Sequence, residues 1–125
     1  MQLRFRLLPD PYAVVRLDPG ARFDLPEGER FVSITRTADE LSVVCREAIA
    51  PEGGRLEGGW RALHLEGPIP FDQTGIAAAF TVALAVRKIG VFIISTFDTD
   101  YLLVKKEDLD PAREALRAEG IEVQA

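Results

Sequence analysis

One cysteine, one histidine and no long apolar run set the first limits on this 125-residue sequence. Cys45 has no second thiol to meet, so an internal disulfide and any multi-cysteine metal site are excluded. With His64 as the sole imidazole there is no metal-ligand cluster, and no cofactor is expected. The longest apolar stretch, Gly75 to Val86, contains Thr81 and runs into Arg87-Lys88, too short to cross a bilayer. Met1 to Arg6 holds two arginines with no apolar core behind them, which reads as no secretory leader and, by default, a cytoplasmic protein. Basic residues are also in short supply. A formal net charge of −5 argues against a phosphate backbone as partner, because affinity for nucleic acid comes largely from clustered Lys and Arg.

What is present suits a small soluble domain or two very small ones sharing a core. Leu3, Phe5 and Leu7 alternate with Arg4 and Arg6, a half-buried strand that ends at Pro9-Asp10-Pro11. Tyr12 to Leu17 reads as a second strand, closed by Asp18-Pro19-Gly20. Ala21 to Arg30 is rich in Pro, Gly, Asp and Glu, which excludes a full helix. Phe31 to Arg36 and Leu41 to Arg46 form a hairpin, and the four glycines of Pro51 to Gly59 mark the expected linker. The sequence therefore divides into residues 1–58 and 59–125.

In the second part, Trp60 to Leu65 is a strand and Gly75 to Ile89 a helix that Gly90 ends. Ile76, Phe80 and Leu84 make one apolar ridge and Val82, Val86 and Ile89 another, with small Ala79 and Ala83 between them. That arc is wider than one sheet face can cover. A neighbouring helix or subunit is expected on the remainder, which together with open sheet edges predicts a homodimer. Val91 to Ile94, apolar without alternation, reads as a central strand covered on both faces. Tyr101 to Val104 is its hairpin partner, and Ser95 to Asp100 between them concentrates hydroxyls, Phe97 and two carboxylates. Asp108 can cap a last helix, which Gly120 stops before a short strand, Ile121 to Val123. The order β-α-β-β-α-β gives an α+β, ferredoxin-like fold, antiparallel with both helices on one face. A shift of 60 residues lays Phe31 to Ile49 over Val91 to Leu109, matching Ile34 to Ile94, Val44 to Val104 and Glu47 to Glu107. The first part then reads as a reduced copy of the second.

The hairpin Ser95-Thr96-Phe97-Asp98-Thr99-Asp100-Tyr101-Leu102-Leu103-Val104 followed by Lys-Lys-Glu-Asp-Leu resembles that of ACT domains in the CASTOR arginine-sensor family and its short bacterial relatives. Ile34 to Thr37 and Glu40 to Cys45 resemble the N-terminal ACT-like half of those proteins. The resemblance implies two ACT (βαββαβ) units in tandem, and a regulatory sensor binding a free amino acid or similar metabolite where two units meet. The resemblance also allows a protein effector as partner. Family contacts carry over to Asp72, Gln73, Thr74 and Gly75, to Gly90 and Val91, and to Thr96, Phe97 and Asp100. Chemically, the amides of a helix start favour a carboxylate, and a carboxylate such as Asp100 accepts from an ammonium. The plainer alternative is that Asp72 or Thr74 caps the helix and Asp98-Thr99 turns the hairpin.

Other function classes fit less well. RNA-recognition modules share the strand order but need exposed aromatics on the central strands with basic flanks, and Tyr101 to Val104 is mostly aliphatic. No base and nucleophile can be paired, so the chain is not read as an enzyme. Cys45, inside a strand, reads as an inert buried thiol and His64 as an ordinary residue of a sheet face. A ligand-free protein-interaction subunit is the main rival.

Overall fold

The computed structural model describes residues 2–70 and 75–125. Strands β1 (Arg4–Leu7), β2 (Tyr12–Leu17), β3 (Ser33–Arg36), β4 (Leu41–Arg46) and β5 (Arg55–Leu65) precede helix α1 (Ile76–Ala85). Then come β6 (Phe92–Ser95), β7 (Asp100–Lys105), α2 (Leu109–Ala118) and β8 (Glu122–Gln124). The chain forms two compact units, one of Asp10–Trp60, the other of the residues before Asp10 together with Arg61–Ala125. The expected division at 58/59 lies inside β5, and the first strand groups with the C-terminal part.

Strand β5 begins within the stretch expected to be a linker, because its glycines serve close packing. A Cβ on Gly54 would collide with the Arg16 carbonyl, and one on Gly58 would come within 2.8 Å of Glu47 Oε1. Gly59 takes φ 75° where the β2–β5 register shifts between Tyr12 and Val14, and it donates its N–H to Glu47 Oε1 at 2.5 Å. These are the marks of a bulged strand.

In the C-terminal unit the strands lie in the order β8-β1-β5-β7-β6. A βαββαβ chain would pair its last strand with its first, but here β1 stands between them. It runs antiparallel to β5 and therefore parallel to β8, with Arg4, Phe5 and Arg6 beside Glu122, Val123 and Gln124. The all-antiparallel expectation gives way to a mixed sheet. One face carries Phe5, Leu63, Leu65, Leu102 and Val104 into a core with Ile76, Phe80 and Leu84 of α1 and Ala112, Ala115 and Leu116 of α2. Both helices thus cover the same face. The second predicted ridge of α1 does not join this core through Val82 and Val86, which are 59% and 73% exposed.

Helix α1 ends before Gly90. Ile89 N–H reaches the Leu84 carbonyl and Lys88 N–H that of Ala85, a Schellman stop with Lys88 in the left-handed position, φ 59°. Helix α2 stops in the same way at Gly120, φ 77°. Asp108 stands at the N-cap but makes no side-chain cap bond, because the turn Lys106–Asp108 holds it near helical geometry, φ −98° and ψ 0°. Strand β6 is not central: among the described residues it pairs only with β7 and leaves Ile93 37% exposed.

The N-terminal unit orders its strands β5-β2-β4-β3, the sequence a βαββαβ sheet would give if β2 were its first strand and β5 its last. The helices are missing or reduced. Residues 18–32 replace the first, and Ala21, Phe23 and Val32 pack on Ala13, Val15, Leu17, Leu41, Val43 and Cys45; a 3-10 turn, Glu47–Ile49, stands where the second would be. Two arginines hold this cover. Arg36 donates to the carbonyls of Pro19 and Ala21, and Arg46 donates twice to Glu29, at 2.8 and 2.9 Å.

The two hairpins share one pairing pattern, and the offset that aligns them is 59 (92 minus 33), not 60. Ser33 to Arg36 pairs with Leu41 to Val44 as Phe92 to Ser95 pairs with Asp100 to Leu103, and the two 3-10 turns keep the same offset. Val32/Val91, Ile34/Ile93, Thr37/Thr96 and Asp39/Asp98 become identical pairs. An offset wrong by one compares residues on opposite faces.

Two predictions follow from these features. A Cβ at Gly120 meets nothing within 4 Å, so Gly120→Ala isolates backbone strain and should cost about 1 kcal/mol, whereas Lys88→Gly relieves similar strain and should stabilise; denaturant midpoints would move in opposite directions. The Arg46 hydrogen bonds hold the Glu29 carboxyl below its ordinary value of 4.5, so its stabilisation is complete above that pH and lost as pH falls through the lowered value. Melting temperatures from pH 6 to 3 should fall in the native chain, and the gap to Glu29→Gln should narrow with acidification.

Candidate functional site

Strand β6 returns as β7 through a tight turn that uses most of its own polar groups. Thr96 N–H donates to the Thr99 carbonyl at 2.8 Å, and the Thr96 hydroxyl donates to that carbonyl at 3.1 Å while accepting from Thr99 N–H at 3.3 Å. Thr96 therefore serves the turn itself. Thr99 is buried, and its hydroxyl donates to the Leu65 carbonyl at 2.5 Å. The tip is thereby fixed to the end of β5. The Asp98 carbonyl accepts from Ile69 N–H at 2.7 Å, and a Cβ on Gly67 would stand 2.9 Å from that same carbonyl. These contacts hold the hairpin against the segment that leads towards α1.

Between the two walls lies a pocket of about 330 Å³. Ile69, Pro70 and the start of α1, Gly75 to Ala78, form one side; Ser95, Thr96, Phe97, Thr99 and Asp100 form the other. Gly75 occupies the N-cap with φ 78°, a conformation that Gly adopts without cost. Asp100 accepts from the Ser95 hydroxyl at 2.6 Å, which orients the carboxylate. Phe97 is 79% exposed, an apolar flap beside this anion. The pocket thus combines one carboxylate, the first turn of a ten-residue helix and small apolar walls. Such a site can meet a cation at Asp100 and a carboxylate at the helix amides.

Of the sequence-predicted residues, Gly75, Thr96, Phe97 and Asp100 come together here. Asp72, Gln73 and Thr74 lie outside the described residues. Gly90 and Val91 are not among the lining residues; they follow the far end of α1, before β6. Sequence reasoning missed Ser95 as the partner of Asp100, although the pairing Ser95↔Asp100 follows from a hairpin closed at Thr96 and Thr99. Gly75→Val, an obvious steric block, would also force a branched residue to φ 78°, so Asp100 is the cleaner probe.

Other titratable groups stand apart from the pocket lining. The His64 ring stacks on Tyr101, with centroids 4.6 Å apart. Burial, reinforced by Arg6, pushes His64 below its usual range, and burial with the Asp98 charge pushes Tyr101 up. Cys45 is buried in the N-terminal core, and desolvation raises its thiol, as an inert cysteine requires. Among the described residues no group of three or more His, Cys, Asp or Glu could hold a metal.

Comparison with known proteins gives a family match. The model described as ACT domain matches residues 55–118, and a second, for an N-terminal domain, matches residues 10–53. The human protein named cytosolic arginine sensor for mTORC1 subunit 1 is 37% identical over 103 residues, an alignment covering 79% of this chain and 30% of that protein. The chain thus spans less than a third of that relative. A crystal structure from Agrobacterium tumefaciens superposes with a TM-score of 0.89 at 36% identity, covering 98% of this chain and 92% of the other. Aspartate kinase of Clostridium acetobutylicum gives a TM-score of 0.67 at 12% identity, over 89% of this chain and 33% of the enzyme, a likeness of fold.

Thr99→Val keeps the shape and removes the donor to Leu65, and should cost about 1 kcal/mol in chemical denaturation. Thr99→Ser, which keeps the hydroxyl, should recover most of that loss.

Proposed function

We propose that this chain, which belongs to the ACT domain family, is a regulatory protein that binds a free amino acid in the pocket between α1 and the β6–β7 tip. The observation that carries the reading is the oriented Ser95–Asp100 pair facing a helix start across a pocket of amino-acid size. A zwitterion's ammonium would bind Asp100, its carboxylate the amides that open α1, and its side chain would lie along Phe97. The name of the human relative makes arginine the first ligand to try. On this reading the role is regulatory rather than catalytic.

The tandem arrangement is part of the proposal: Asp10–Trp60 acts as a reduced ACT-like unit and Arg61–Ala125 as a complete one. So is a homodimer. Strand β6 has an open edge among the described residues, and Val82, Val86, Ile93 and Phe97 present apolar surface to solvent. A second copy pairing there would complete the pocket where two ACT units meet. Among the described residues no helix is long and apolar enough to cross a membrane; with the cytosolic relative, this supports a cytoplasmic place of action. The same apolar surface favours one alternative, a ligand-free subunit that docks a protein effector.

Thermal shift against the free amino acids separates these readings. A ligand at a hundredfold excess over its dissociation constant should add about 2.7 kcal/mol of stability. Asp100→Asn should weaken that ligand by about 1.5–3 kcal/mol, the worth of a charged hydrogen bond. A panel in which no amino acid raises the melting temperature favours the ligand-free alternative.

A further inference from the structure

The 59-residue offset allows the two units to be compared position by position. The pocket-lining residues Ser95, Thr96, Phe97, Thr99 and Asp100 correspond to Arg36, Thr37, Ala38, Glu40 and Leu41. The turn is conserved in detail: Thr37 N–H donates to the Glu40 carbonyl at 2.9 Å, as Thr96 does to Thr99. Its surroundings are not. Leu41, in the position of the anionic Asp100, is buried in the N-terminal core. Arg36, in the position of Ser95, extends its guanidinium to the carbonyls of Pro19 and Ala21. Those carbonyls follow β2 as Ile69 and Pro70 follow β5; the C-terminal walls meet through the backbone bond of Ile69 to Asp98, whereas in the N-terminal unit a side chain, that of Arg36, spans the corresponding walls.

We propose that the exposed Arg36 side chain is a plug across the mouth of the N-terminal counterpart of the ligand pocket, a counterpart in which Leu41 already takes the place of the anion, so that each chain carries one small-molecule site, in the C-terminal unit alone, with or without Arg36. The inference rests on the amino-acid reading for its stoichiometry and on geometry for the plug. The chemistry agrees. The guanidinium, which carries five donors, reaches the Pro19 and Ala21 carbonyls, which belong to no helix, and with Leu41 where the C-terminal unit has Asp100 the counterpart lacks a group that would bind an ammonium. The N-terminal unit then supplies a scaffold that does not respond to ligand.

The test has two arms on the full-length chain. In equilibrium dialysis with L-arginine, one ligand should bind per chain, Asp100→Asn should remove saturable binding at the same concentrations, and Arg36→Ala should keep both stoichiometry and affinity within about twofold. Two ligands per chain, or binding that Arg36→Ala abolishes, would overturn the single-site assignment. The second arm needs no ligand. Trypsin cleavage after Arg22, in the segment Arg36 holds, should accelerate about tenfold in Arg36→Ala and little in Arg36→Lys, which keeps a donor. Unchanged cleavage in Arg36→Ala overturns the plug. Absence of binding by arginine and by every other amino acid in the native chain overturns the functional reading instead, and the proteolysis arm still decides the role of Arg36.

Discussion

A sheet with one apolar face must have that face covered, and the way each unit meets this requirement decides what each can do. The C-terminal unit lays α1 and α2 over Phe5, Leu63, Leu65, Leu102 and Val104. The N-terminal unit covers Val15, Val43 and their neighbours with a loop carrying Ala21 and Phe23. A helix ends in unpaired amides and stands off from the neighbouring hairpin tip. A loop can be drawn close and fastened, as Arg36 and Arg46 fasten this one.

The pocket is a consequence of the first solution. The hairpin tip is rigid because Thr96 and Thr99 spend their hydroxyls on the turn and on Leu65. The segment before α1 is held against it by the Ile69–Asp98 bond and by the lack of a side chain on Gly67. With both walls fixed, the Ser95–Asp100 pair and the helix start face a common space. Preorganisation of this kind lowers the ordering cost of binding.

Much of this was legible in the residues. Periodicity grouped Ile76, Phe80 and Leu84 as one ridge of α1, the ridge that enters the core, and the alternation of Leu3, Phe5 and Leu7 found β1. The clustering of polar groups between Ile94 and Tyr101 marked the tip. What escaped depends on contacts distant in sequence. Nothing local in Leu3 to Leu7 says that this strand is inserted between β5 and β8, which makes the sheet mixed. The glycines at Gly54, Gly58 and Gly59 look like a linker because sequence cannot show the Arg16 carbonyl and Glu47 carboxylate packed against them. The continuous apolar run at Val91 to Ile94 suits a buried central strand and an apolar edge strand equally well. The likeness of the two hairpins was visible, but with so few identities only the strand pairing could show that an offset of 59 aligns them.

The central claim is that the chain recognises an amino acid between the start of α1 and the tip of β6–β7. Amide chemical shifts of the nitrogen-15-labelled chain, followed through titration with L-arginine and then with the remaining amino acids, test it most directly. The account predicts saturable changes concentrated at Gly75 to Ala78 and Ser95 to Asp100 for at least one of them, with Thr37 to Leu41 unmoved. Changes centred on the N-terminal hairpin, or none with any amino acid, would contradict it.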